Sequence, residues 1–262
     1  TVRSLFPELI DAFFALSILG KAVERGLLAY RSVNIRDFAR DKHKTCDDAP
    51  YGGGAGMLMM AEPVGRAFAS VGVANRLEEA APAVLKRRVI YLSPQGRPFT
   101  QEKARALAEE DELVLLCGRY EGLDQRIIDA YVDEEISLGD YVLSSGEVAA
   151  LVLIDATYRL RKAVISPASL EEESFSGGLL EYPQYTRPFR YGMLQVPDVL
   201  LSGHHENIRR WRLRKRVEKT LALRPDLIHR GEEAGLFDKE TRTIIAELRQ
   251  DGGDAALHKG ET

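Results

Sequence analysis

Three glycine-bearing loops, each closing an apolar run, constrain this chain more than any other feature. They read YLSPQG (91–96), CGRYEG (117–122) and SLGDYVLSSGE (137–147). VIYL (89–92) runs into the first and ELVLLC (112–117) into the second. Short Val, Ile and Leu runs without polar alternation, bounded by Gly or Pro, predict strands buried on both faces in a parallel sheet. Between these runs lies TQEKARALAEE (100–110), rich in helix formers and opened by Thr100 as a cap. It predicts a crossover helix. Ligands of open α/β sheets bind beyond the carboxyl ends of the strands. Glycine there lets a ligand approach the main chain. The expectation is one shared pocket with walls made largely of backbone.

The first 165 residues alternate strand and helix patterns, which reads as α/β. RLEEAAPAVLKRR (76–88) reads as a charged surface connection. After the third loop, Ser144 and Glu147 have the spacing of a capping box. The helix they open, VAALVLIDATYRL, is apolar almost all round and is expected to be buried, a partner subunit being one cover for it. From Ala163 the composition shifts. ISPASLEEESFSGG is rich in Ser, Glu, Pro and Gly and predicts a mobile linker over 166–178. A smaller helical domain is expected over 179–262. Its first helix is ENIRRWRLRKRVEKTLAL, with one or two more behind it. GGDAALHKGET (252–262) reads as an unstructured tail.

The chain has 262 residues and is 45% hydrophobic, enough for one large or two modest cores. No apolar stretch has the ~18–20 residues of a membrane span. Arg3, Glu8 and Asp11 interrupt the first apolar residues, which argues against a secretory signal there. Cys46 and Cys117 make no disulfide framework, and no Cys/His cluster has zinc spacing. A cytoplasmic protein is expected. YGGGAGM (51–57) lacks the GK[ST] of a P-loop, and no GxGxxG stands at a strand end. Net charge is −4, but residues 204–230 hold nine Lys/Arg against three Asp/Glu. That local excess of six leaves −10 on the remainder. A basic segment on an acidic protein is either a phosphate-binding face or a solvated helix.

The three loops, with LDQRI behind the second, resemble the cofactor loops of the bacterial tRNA (guanine-N1)-methyltransferases of the SPOUT class. So do LFPEL, SILGKAVERG, NIRDFARDKHKTCDDAPYGGGAGM and the Met-Ala-Glu-Pro after it. EEESFSGGLLEYPQYTRP and VPDVLLSGHHENIRRWR continue the resemblance to about Arg230. So many motifs in the same order make coincidence improbable. The resemblance implies a knotted SPOUT-type parallel sheet with flanking helices, followed by the helical domain. It also implies a homodimer, a tRNA substrate and S-adenosylmethionine as methyl donor.

On this resemblance the donor contacts Tyr91, Leu92, Ser93, Pro94, Gln95 and Gly96 of the first loop. Gly118, Tyr120, Glu121 and Gly122 follow from the second. The third supplies Ser137, Leu138, Gly139, Asp140, Tyr141, Val142, Leu143, Ser145 and Gly146. Main chain at Leu92, Gly118, Leu138, Tyr141 and Leu143 would enclose adenine, with Glu121 offsetting the sulfonium. The guanine N1 proton must leave, which a carboxylate base assists by about 10²–10⁴-fold. The family's linker aspartate corresponds to Glu173, one methylene longer, with Glu171 and Glu172 as alternatives. Its arginine beside the reacting oxygen corresponds to Arg159, which otherwise reads as a helix C-terminal charge. His205, Arg209, Arg210 and Arg214 are the expected RNA contacts. Lys162-Ala163 stands where the family usually has Pro-Gly, and Ser145 where a glycine is usual. The expected reaction is methylation of N1 in the guanosine 3′ of the anticodon. A related knotted methyltransferase acting elsewhere on RNA, and a non-catalytic RNA-binding paralogue, are the alternatives.

Overall fold

The computed structural model of the chain describes residues 1–78, 86–166 and 173–257, with backbone alone over 252–257. It divides into two compact units, Thr1–Ile165 and Ser166–Thr262.

The first unit is built on strands β1 (Val2–Ser4), β2 (Ser32–Asn34), β5 (Arg87–Pro98), β6 (Glu112–Cys117) and β7 (Glu134–Ser137). A two-residue pair, β3 (Asp47–Asp48) and β4 (Leu58–Met59), stands apart. The five strands form one sheet in the order β2-β1-β6-β5-β7, with every pairing parallel. Successive side chains alternate between the two faces. Val89, Tyr91, Val114 and Leu116 enter one core with Phe68, Val64 and Ile127. Ile90, Leu92, Leu115 and Cys117 enter the other with Ile10, Leu19, Leu107 and Leu153. Both faces are covered, which is why VIYL and ELVLLC are apolar without alternation.

The covering helices are α1 (Pro7–Phe14), α2 (Ser17–Glu24), α3 (Ala61–Ala69), α4 (Gln101–Ala108), α5 (Gln125–Tyr131) and α6 (Gly146–Tyr158). Thr100 caps α4 as expected, its Oγ1 accepting from the Lys103 amide at 3.2 Å. The capping box at Ser144 and Glu147 does not form. Ser145 is the N-cap of α6 and makes no side-chain cap bond. Glu147 is fully buried and accepts from Ser4 Oγ at 2.6 Å instead. Tertiary demand thus takes the glutamate that the local pattern assigns to the cap. Within the single chain, Ala150 and Leu153 of α6 face the core, whereas Val148 and Val152 lie about half exposed.

The first loop also departs from a simple strand end. β5 breaks its register with β7 after Leu92 and resumes at Arg97 opposite Ile136. Gly96 makes this possible, since a Cβ there would stand 2.4 Å from the Glu135 carbonyl carbon.

The second unit packs α7 (His205–Leu223), α8 (Pro225–Glu233) and α9 (Lys239–Leu257). Its core is Leu179, Val217, Ile228, Phe237 and Ile245. Arg216 donates to the carbonyls of Ser176 and Leu180, and the Leu180 amide donates to Thr220 Oγ1. A short hairpin, β8 (Arg190–Tyr191) and β9 (Leu194–Gln195), precedes α7. The backbone of α9 continues past Gly252 to Leu257, beyond the expected start of the tail. Residues 258–262, most of the expected connection over 76–88 and most of the linker glutamates lie outside the described residues. Among the described residues no helix is long and apolar enough to cross a membrane.

Ala163 has φ +66°. A non-glycine residue there costs roughly 1–2 kcal/mol, and this is the position where the family pattern has glycine. Ala163→Gly is therefore expected to stabilise the first unit by about 0.5–1 kcal/mol, the remainder being lost to glycine's extra unfolded entropy. The thermal midpoint should rise by about 1–4 °C. An unchanged or lower midpoint would mean that position 163 is not strained.

Candidate functional site

The three loops meet at the carboxyl ends of β5, β6 and β7. Residues 91–94, 118–122, 136–138 and 141–146 line one cleft of about 170 Å³, with Ala149 of α6 completing it. Gln95, Gly96, Gly139 and Asp140 lie outside that lining. Gly96 instead packs on β7. Gly139, at φ +154°, leaves room for the Tyr141 ring, which a Cβ would meet at 2.8 Å. Sequence reasoning missed Arg119, Ile136, Ser144 and Ala149 in the wall. Arg119 and Ser144 lie inside the very motifs singled out, so adjacency was a usable signal.

Two close approaches hold the cleft in shape. The Gly146 amide donates to the Gly118 carbonyl at 2.9 Å. A Cβ on Gly146 would stand 2.5 Å from the Gly118 nitrogen and 2.8 Å from Cys117 Cα. A Cβ on Gly118 would stand 2.9 Å from the Tyr91 ring. Ser145 has φ −158°, extended backbone that any residue adopts, so its departure from glycine adds no strain. Burial, with Glu135 nearby, pushes the Tyr91 phenol up to about 12, so it stays protonated and able to donate.

The second loop is tied to its surroundings at several points. Tyr120 has φ +57°, a left-handed conformation that non-glycine residues hold only where the surroundings enforce it. Burial, with Asp47 nearby, raises the phenol's pKa, and Arg36 acts the other way. The Glu121 amide donates to Met57 O, and Met59 N–H donates to Gly122 O. Gly56 lies against the Glu121 side chain, where a Cβ would meet Cγ at 2.2 Å. YGGGAGM therefore ends beside the second loop. Arg119 stacks over the Phe6 ring at 4.4 Å and lies 3.7 Å from Glu147. Ser4 Oγ accepts from the Phe6 amide and donates to Glu147. One buried carboxylate thus joins β1, the second loop and α6.

The expected catalytic pair lies off this cleft's lining. Arg159 is the C-cap of α6, half-buried. Glu173 belongs to the second unit, half-buried, its carbonyl accepting from the Ser176 amide. Glu171 and Glu172 lie outside the described residues. His205 opens α7, Arg209 and Arg210 follow exposed, and Arg214 is half-buried. These arginines are not bare charges. Arg209 bonds Glu206 and Glu240, and Arg210 bonds Glu206. Arg214 pairs with Glu247 and, at 3.7 Å, Asp251. Arg209 and Arg210 hold the Glu206 carboxyl down to about 2. Among the described residues no cluster of His, Cys, Asp and Glu could hold a metal ion.

The chain matches the family model described as tRNA (Guanine-1)-methyltransferase TrmD over residues 1–230. A protein of Treponema denticola named tRNA (guanine-N(1)-)-methyltransferase is 57% identical over 250 residues, 95% of this chain and 98% of that one. Proteins of the same name from Borrelia duttonii and Treponema pallidum are 55% and 53% identical. The first match covers 92% of this chain and 98% of the relative, the second 94% of each.

Gly146→Ala places a methyl group against backbone that cannot swing aside. It is expected to cost about 1–3 kcal/mol, the range of overpacking, and to spoil the cleft. Urea denaturation should show the loss. A variant with wild-type midpoint would mean that the Gly146–Gly118 contact is loose.

Proposed function

The chain belongs to the tRNA (guanine-N1)-methyltransferase family, and from that premise we propose that its cleft binds S-adenosylmethionine and serves methylation of N1 in the guanosine 3′ of the tRNA anticodon. The observation that carries this is the single cleft lined by all three glycine-bearing loops. Its chemistry suits the donor. Main-chain groups at Leu92, Gly118, Leu138, Tyr141 and Leu143 provide N–H and C=O edges for adenine. Glu121 provides a carboxylate for a cation. When bound, S-adenosylmethionine supplies a methyl group already activated by its sulfonium.

The chain's own task is then the acceptor. Glu173 takes the N1 proton as general base, which requires it ionised and within hydrogen-bond reach of the guanine edge. Arg159 stabilises negative charge that develops on the neighbouring carbonyl oxygen. His205, Arg209, Arg210 and Arg214 meet tRNA phosphates, each arginine exchanging a carboxylate partner for a phosphate. The third loop passes behind the other two as a trefoil knot, a reading supported by the bare backbone contact of Gly146 with Gly118. The enzyme is a homodimer, with apolar residues exposed on α1 and α6, Leu9 and Val148 among them, as the mating surface. It works in the cytoplasm, where its substrate is. A single-turnover assay with labelled donor and a tRNA transcript, followed by mapping of the methylated nucleotide, tests the reading. Methyl on another position would turn it into a related RNA methyltransferase, and no transfer at all into a binding protein.

Glu173→Gln should lower the transfer rate by about 10²–10⁴-fold while calorimetry finds donor binding intact. Glu173→Asp should stay active. A Glu173→Gln enzyme within a few-fold of wild type would exclude Glu173 as the base.

Arg159→Ala and Glu173→Gln should each be inactive alone yet complement when mixed. If the two residues act at a site shared between subunits, random exchange makes half the molecules heterodimers, each with one intact site. Activity should then recover to roughly a quarter of wild type. No recovery after proven exchange would mean that both groups serve from one chain.

A further inference from the structure

The second unit carries a groove of about 480 Å³ that the reading above does not use. Tyr185 and Trp211 stand in its wall with ring centroids 6.3 Å apart at 55°. Arg212 lies over the Tyr182 ring at 4.7 Å. Arg187 and Phe189 also line it, and among the described residues its lining includes no Asp or Glu. The unit's core cluster is Leu179, Val217, Ile228, Phe237 and Ile245, and none of these rings belongs to it. Tyr185 is 49% exposed and Phe189 43%, so two aromatic faces stay open to solvent. Contrast the neighbouring charged surface of α7, where Arg209, Arg210 and Arg214 are matched by carboxylates.

Open aromatic faces beside arginines, with no carboxylate among the described lining residues, suit a flat π-system attached to an anion. Single-stranded nucleic acid offers that combination, its bases stacking on aromatic rings and its phosphates facing cations. We propose that this groove takes one unstacked base of the bound tRNA against Tyr185 and Trp211, with the flanking phosphate at Arg187. The inference rests on the RNA reading above but assigns affinity to stacking, not to the charged face of α7.

Trp211 is the only tryptophan of the chain, so its emission reports on the groove. The test titrates the full-length protein with a tRNA transcript while filter binding and methylation are followed on the same transcript. Saturable change in Trp211 emission is expected, at the concentration where filter binding saturates. Tyr185→Leu should raise the Kd about tenfold, within the range for loss of one stacked base, whereas Tyr185→Phe should keep it. Unchanged emission at saturation, or a Tyr185→Leu Kd within twofold of wild type, overturns the inference while the RNA reading stands. Failure of the wild type to bind or methylate the transcript overturns the RNA reading and this inference with it. If Tyr185→Leu shifts the oligomeric state in ultracentrifugation without RNA, the groove is a protein contact and the inference falls.

Discussion

Two backbone segments can lie side by side at hydrogen-bonding distance only where no side chain stands between them. The Gly146 amide and the Gly118 carbonyl are in that situation, 2.9 Å apart with Cys117 Cα close behind. The start of α6, the turn after β6 and hence the width of the cleft depend on it. Gly96 against the backbone of β7 is a second instance on the other side of β5. Because the walls are main chain, their hydrogen-bonding edges are fixed by the fold and not by rotamers. The buried Glu147 adds a polar tie at the same place, linking Ser4, Arg119 and α6. A carboxylate sealed from water holds geometry firmly, since removing a partner strands it.

The sheet was legible in the sequence because burial on both faces leaves no polar alternation to write. VIYL and ELVLLC meet cores on either side, and both were readable as parallel strands. The α4 cap was legible because Thr100 and its receiving amide are three residues apart. The Ser144–Glu147 box failed for the opposite reason. Its spacing was right, but the carboxylate is needed by Ser4, 143 residues away in sequence. The break in β5 was hidden because register is a property of the pairing with β7, not of the strand.

The candidate site was legible to a similar depth. Loops that line the cleft announce themselves through glycine, yet Ile136 and Ala149 enter the wall from regular elements whose sequence gives no such sign. The identity of Arg159 and Glu173 came from resemblance to a family, and no local pattern separates them from a helix-terminal charge and a linker charge. The aromatic groove was invisible for a further reason. Tyr185 and Trp211 are 26 residues apart and meet only after the intervening chain folds back.

The basic run on α7 read as more positive than it is because some of its counter-charges sit on another helix. Glu240 and Glu247 of α9 reach back to Arg209 and Arg214. Those carboxylates act as tethered counterions. A free ion released from a protein surface gains the entropy of the whole solution, whereas a tethered one gains only the freedom of its side chain. Polyanions in general therefore find little reward in this helix. A molecule that docks elsewhere first, and so arrives with its phosphates already in place, can displace the carboxylates at high local concentration. The carboxylates of α9 turn an attractive surface into one that discriminates against casual encounters.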